Sequence, residues 1–309
     1  PEYGSIVGFT TQELKDYFSG YIENAARQLG AEPEALLQRL TGYYDGYCFE
    51  KTATVRVMNP WSVMSFLIYP TRGFRDHWFQ TGGQPSVLKD LFRSGALKDP
   101  KNFAAVKTIP FSQLGGPAIG ENFSEVDLLT QTGYLTFKSV DGNIAIVDYS
   151  TEEVRHAMAG MYLHQLVGKT IEQAGVMDFA IRLVKDNPET LVRIFNRLLE
   201  SVDYEAYSIE DAKSVLAVIQ IAMINVRLSP VIKVIAKGES VLEVQAGERT
   251  IVLTLEYCHP DQEAEQLLQV AVSQLDKPFS GKLGGRMEIL KLVLVFSESD
   301  RRITVWSVA

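Results

Sequence analysis

The last third of the chain constrains the fold most. There the apolar period changes from helical to strand-like, and one helical stretch interrupts the strands. Residues 231–236, 241–245 and 250–257 are short runs rich in valine, isoleucine and leucine, separated by glycine-containing breaks. Residues 261–275 have helical spacing, and residues 290–296 and 303–308 are strand-like again. Two or three helices over 169 to about 227 come before them. The order is helix, three strands in a meander, helix, strand, strand, which predicts an α/β arrangement with a mixed sheet.

The first half has another plan. Thr10 and Glu13 are spaced as a capping box, and Phe9 and Leu14 as a hydrophobic staple. Leu14, Tyr17, Phe18, Tyr21, Ile22 and Ala25 then predict one continuous helix that Gly30 ends. Pro33 opens a second helix carrying Leu36, Leu37 and Leu40. A short strand at 55–58 leads to Asn59-Pro60, which starts a third helix with Val63, Phe66 and Leu67 on its buried face. Another short helix is expected at 86–92, and residues 93–123 read as a connection. Helix 124–132, strand 134–140, an Asp141-Gly142 turn and strand 144–147 have the order of a small winged element. Residues 151–167 are helical again.

Charge and composition narrow the function. A net charge of −8 and a pI of about 5.2 argue against a broad phosphate-binding surface, because nucleic-acid affinity comes mostly from lysine and arginine. The longest apolar run, 215–224, is interrupted by Gln220 and is about half the length a bilayer requires. With no signal peptide ahead of the first helix, a cytoplasmic protein with no membrane partner is expected. Cys48 and Cys258 read as two buried thiols of a reducing compartment. The chain opens at Pro1 without a methionine, as expected of a fragment or a processed piece.

Familiar chemical signatures are weak. Gly168-Lys169-Thr170 resembles the end of a phosphate loop, but Leu163 stands where the loop needs its first glycine, inside an expected helix. His77, His156, His164 and His259 lack metal-ligand spacing. No serine lies in a Gly-x-Ser-x-Gly elbow. Tyr43-Tyr44-Asp45-Gly46-Tyr47 reads as a turn with aromatic flanks packed on a core, and Asn59 as a helix cap. The functional alternative there is a groove of tyrosine hydroxyls beside Trp61.

These same segments carry a resemblance. Tyr44-Asp45-Gly46-Tyr47, Asn59-Pro60-Trp61-Ser62, Trp78 with Thr81-Gly82, Gly133-Tyr134-Leu135-Thr136 and Glu152-Glu153-Val154-Arg155 follow one another as in a large bacterial family. Its members join an AAA-ATPase-like domain to a domain of the PD-(D/E)XK nuclease superfamily. The resemblance covers most of residues 5–160; over 200–309 it is one of layout only. It implies a multidomain α and α/β protein: a helical lid-like region (1–110), a winged-helix-like element (111–167) and a PD-(D/E)XK-like mixed α/β domain (168–309). The ATPase core would precede Pro1, so this piece should not hydrolyse ATP.

In that superfamily two carboxylates hold a divalent metal and a lysine positions the attacking water. One alignment places the Asp, Glu and Lys positions on Val241, Thr254 and Glu256, so that all three catalytic groups are replaced. A second, shifted by two residues, makes Glu243 and Glu256 the metal ligands with Cys258 in place of lysine. Gln274 and Phe279 would then stand for the family's helix glutamine and the tyrosine after it. The first implies a degenerate, non-catalytic binding or regulatory module whose partner is its own ATPase core or another protein. The second implies a nuclease for DNA or RNA using Mg or Mn. A third reading is a protein-recognition scaffold with no link to nucleic acid.

Overall fold

A computed structural model describes residues 4–78, 99–114, 125–167, 178–234, 240–275 and 288–309. Its contacts divide the chain into two compact units, residues 1–96 with 105–158, and residues 97–104 with 159–309. Most of the expected lid-like and winged-helix-like stretches therefore share one unit. The described residues form ten α-helices and ten strands, a mixed α/β protein.

In the first unit the helices are α1 (Thr11–Tyr17), α2 (Ser19–Leu29), α3 (Pro33–Tyr44) and, after two short strands, α4 (Pro60–Ile68). The capping box forms: Thr10 Oγ1 accepts from the Glu13 N–H at 3.2 Å, and Glu13 Oε2 accepts from the Thr10 N–H at 2.8 Å. The single helix expected here is two. At Phe18 (φ −119°, ψ 11°) the backbone leaves helical geometry, and the Phe18 carbonyl starts the next helix by accepting from Tyr21 and Ile22. Phe9 packs its ring on Phe18, 5.0 Å between centroids. Leu14, Ile22, Leu36, Leu40, Tyr44, Met58, Val63 and Phe66 make the buried core.

Asp45-Gly46-Tyr47 is not the expected turn. It is a strand, β1 (Asp45–Tyr47), paired antiparallel with β2 (Val57–Met58). Gly46 has φ 143°, and a Cβ there would collide with the Ser150 carbonyl oxygen. The bend between the two strands is organised by one side chain. The Glu50 carboxylate accepts from the N–H groups of Thr52, Thr54 and Val55 and from both threonine hydroxyls.

A three-stranded sheet completes the unit, in the order β3 (Lys107–Pro110), β5 (Ile144–Tyr149), β4 (Leu135–Asp141). Helix α5 (Glu125–Gln131) precedes β4, and α6 (Glu152–Leu166) follows β5. Strand β3 lies within the stretch expected to be a connection. It is short, ends in proline and sits on an edge, where a missing N–H costs no ladder bond. Asp141 pairs with Ile144, so the hairpin loop is Gly142-Asn143, one residue later than expected, with Gly142 at φ 57°. The helix expected at 86–92 lies outside the described residues.

The second unit adds α7 (Phe179–Lys185), α8 (Pro188–Leu199) and α9 (Ala212–Asn225), then a five-stranded sheet. Its strands are β6 (Val231–Val234), β7 (Ser240–Ala246) and β8 (Arg249–Cys258), then β9 (Glu288–Ser297) and β10 (Arg302–Val308) after helix α10 (Ala264–Leu275). The order is β10-β9-β8-β7-β6. β6, β7 and β8 form the antiparallel meander; α10 then crosses over, β9 lies parallel to β8, and β10 returns antiparallel. The mixed sheet expected from the sequence is thus present. The apolar run 215–224 is buried all round within α9, where Gln220 donates to the Pro230 carbonyl at 3.3 Å. No described helix is long and apolar enough to cross a membrane.

The close approach at Gly46 sets a test. Gly46→Ala should destabilise the first unit by about 3 kcal/mol, since both the backbone conformation and the Ser150 carbonyl resist a methyl group. Gly42→Ala, in open space on α3, should instead be neutral or add about 0.5–1 kcal/mol. Urea unfolding followed by Trp61 and Trp78 fluorescence in a Trp306→Phe background measures both. Equal effects would refute the steric account.

Candidate functional site

The residues singled out for chemistry lie on β7 and β8, and the register decides which of them meet. Val241 stands opposite Thr254, and Glu243 opposite Val252. Side chains alternate along a strand, so Val241, Glu243, Thr254, Glu256 and Cys258 share one face of the sheet. On β9 the same face carries Lys291 opposite Val252, and Val293 opposite Thr254. At the end of β8 the Cys258 thiol reaches the Gln262 carbonyl, just ahead of α10, at 3.5 Å.

Positions 241, 254 and 256, which the first alignment picks out, therefore do come together. Their side chains cannot hold a metal. Val241 is 1% exposed and Thr254 5%, packed within a sheet core of valine and leucine. Neither is an adequate ligand for a hard divalent ion, which takes carboxylate or carbonyl oxygen.

The second alignment is a poorer fit. Glu256 lies four residues along β8 from the partner of Glu243, about 13 Å at the rise of a strand. For one ion to link them, both side chains would have to lie flat along the sheet towards each other. Glu243 points the other way, to β6, where its carboxylate pairs with Lys233 Nζ at 2.6 Å. Strand geometry thus keeps Glu243 and Glu256 from forming one metal site. Among the described residues no group of three or more histidine, cysteine, aspartate and glutamate side chains could hold an ion. Cys258, in the lysine position, is a buried free thiol whose pKa burial and the nearby Glu263 and Asp261 push up, a poor nucleophile. Gln274 belongs to α10, but its side chain, Phe279 and Gly168-Lys169-Thr170 lie outside the described residues. Leu163, which stands where a phosphate loop needs glycine, is helical in α6.

In the first unit the motif residues converge on Glu153, the second acid of the Glu152-Glu153-Val154-Arg155 segment. The Glu153 carboxylate, with the residue 0% exposed, accepts from Ser62 Oγ at 2.8 and 3.0 Å and from the Trp78 N–H at 2.9 Å. Asn59 caps α4, its side chain accepting from the Trp61 and Ser62 N–H groups at 2.9 and 3.4 Å. Tyr44 donates to the Arg75 carbonyl and Tyr43 to Asp76, both at 3.2 Å, and Tyr43 also meets His156 Nδ1 at 3.2 Å. The tyrosine hydroxyls face inward while Trp61 is 54% exposed, so they do not line a groove with it. Packing and capping account for the whole segment. Glu152-Glu153 reads in sequence as a helix N-terminus that favours acids. Nothing local distinguishes the half-exposed Glu152 from the buried Glu153.

Comparison with known proteins gives no match to any family model, to any curated protein or to any solved structure.

Burial raises the Glu153 pKa to about 7, against the pull of the Trp78 N–H and Ser62 and with the push of Asp76. In the unfolded chain the group titrates near 4.5. The folded state is thus favoured most below pH 4.5, and this contribution is lost as pH rises through 7, by about 3 kcal/mol in all. Glu153→Gln carries no titrating group there. Wild type minus Glu153→Gln stability of the first unit, from urea midpoints between pH 4.5 and 8, should fall by that amount. A flat difference would refute the assignment.

Proposed function

We propose that the chain is a non-catalytic binding or regulatory module, derived from an AAA-ATPase-like protein with a PD-(D/E)XK nuclease-like domain. One observation carries this reading. The sheet positions where the resemblance calls for two carboxylates and a lysine are juxtaposed on one face, and they hold Val241, Thr254 and Glu256, the first two buried. A glutamate where a cation is needed repels a phosphate instead of positioning water against it.

The layout lends further support. A meander, a crossover helix, a parallel return strand and a closing antiparallel strand form the element order expected of the nuclease-like domain. In the first unit, helix α5 followed by the β4–β5 hairpin is the order expected of a winged element. On this reading residues 1–160 are the lid-like and winged-helix-like parts of a larger ATPase. The Tyr-Asp-Gly-Tyr, Asn-Pro-Trp-Ser and Glu-Glu-Val-Arg segments then build the Ser62–Glu153–Trp78 junction inside the lid-like part.

The protein should leave supercoiled plasmid and single-stranded DNA intact with Mg²⁺ or Mn²⁺, alongside a Glu256→Ala control. Metal-dependent cleavage that disappears in Glu256→Ala would overturn the reading.

A further inference from the structure

The second unit contains a groove of about 880 Å³ whose walls come from α7, α8 and β10. Trp306, opposite Leu294 on β9, turns into it from the face of the sheet away from Glu243. Arg182, Arg193, Arg197 and Arg302 also line it, with Asp178, Glu189 and Glu200. Two of the arginines are neutralised: Arg182 pairs with Asp178 and Asp186, and Arg302 with Glu200. Arg193 and Arg197 are exposed, and among the described residues neither has a carboxylate within ion-pair distance.

The groove runs along the outer edge of the sheet. Among the described residues β10 pairs only with β9. The Ala309 N–H donates to the Lys291 carbonyl, which fixes the alternation: residues 305, 307 and 309 turn their backbone groups to β9, and Trp306 and Val308 turn theirs outward. At Ile303 the outward side is already taken. The Asn196 side chain accepts from the Ile303 N–H at 2.6 Å and donates to its carbonyl at 2.9 Å, pairing as a neighbouring strand would. Beyond it the outward N–H and carbonyl of Trp306 have no backbone partner among the described residues, while the Val308 carbonyl accepts from Ser307 Oγ at 3.3 Å; an edge of this kind is a template for another chain.

We propose that this groove docks an acidic, extended segment of a partner protein, which adds to β10 as a sixth strand and sets two of its carboxylates on Arg193 and Arg197. The spacing supports this occupant. Four residues of helix advance about 6 Å, and side chains two apart on a strand are about 6.7 Å apart, so carboxylates at alternate positions match the two guanidinium groups. Main-chain pairing supplies affinity, Trp306 supplies apolar area, and the arginines select acidic residues. A nucleic acid fits less well. It has no alternating backbone donors and acceptors to match the β10 edge. The inference rests on the binding reading above and gives that reading a partner class.

The test uses the full chain and a short labelled peptide alternating glutamate with valine, titrated by fluorescence anisotropy at low salt. Saturable binding is expected, weakened at least about tenfold by Arg193→Glu with Arg197→Glu. Arg193→Gln with Arg197→Gln, which leaves these exposed positions uncharged, should give a smaller loss in the same direction. N-methylation of alternate peptide amides should abolish binding, and oligothymidylate should not compete. No saturable binding, unchanged affinity in both double variants, or an oligonucleotide displacing the peptide would each overturn the docking site. DNA cleavage would count against the binding reading alone, while the titration would still judge the groove.

Discussion

The second unit depends on the parallel ladder between β8 and β9, ten residue pairs from Arg249–Glu288 to Cys258–Ser297. Three antiparallel strands could have closed as a hairpin series with one wet face. The α10 crossover instead brings β9 to the inside of the sheet, parallel to β8. From Thr250 to Leu255 every side chain of β8 is buried. That central position is where a metal-dependent nuclease needs carboxylates that water and substrate can reach. Here it is filled by side chains that stabilise the sheet.

The two units treat their carboxylates in opposite ways. The Glu243 carboxylate is partly exposed and pairs with Lys233 across the sheet. Glu153 is received by a serine hydroxyl and a backbone N–H in a dry interior, and its proton affinity rises accordingly. Removing one partner from such a group leaves a buried charge unsatisfied, which costs more than the bond contributes. The junction therefore tolerates change poorly at Ser62 and around Trp78.

Much of this is legible in the sequence for local reasons. The capping box at Thr10, the proline starts of α3 and α4 and the period-two runs of the sheet are all written within a few residues. What escapes is non-local. The α1–α2 break falls at Phe18, whose ring contact with Phe9 helical periodicity cannot reveal. Asp45-Gly46 carries a turn signature, yet pairing with Val57–Met58 and the approach of Ser150 make it a strand. Alternation alone puts Glu243 and Glu256 on one face. Their separation along the sheet depends on how β7 and β8 are staggered, which no single strand encodes.

The loop that Glu50 organises has a further consequence. Because one carboxylate collects donors from Thr52, Thr54 and Val55, each must arrive at a set distance along the backbone. Ala53 lies at φ 55°, which favours glycine, asparagine or aspartate at that position, and inserting or deleting one residue would send the wrong N–H groups to the carboxylate. Among related chains this bend should vary in composition but hold its length, unlike most surface connections.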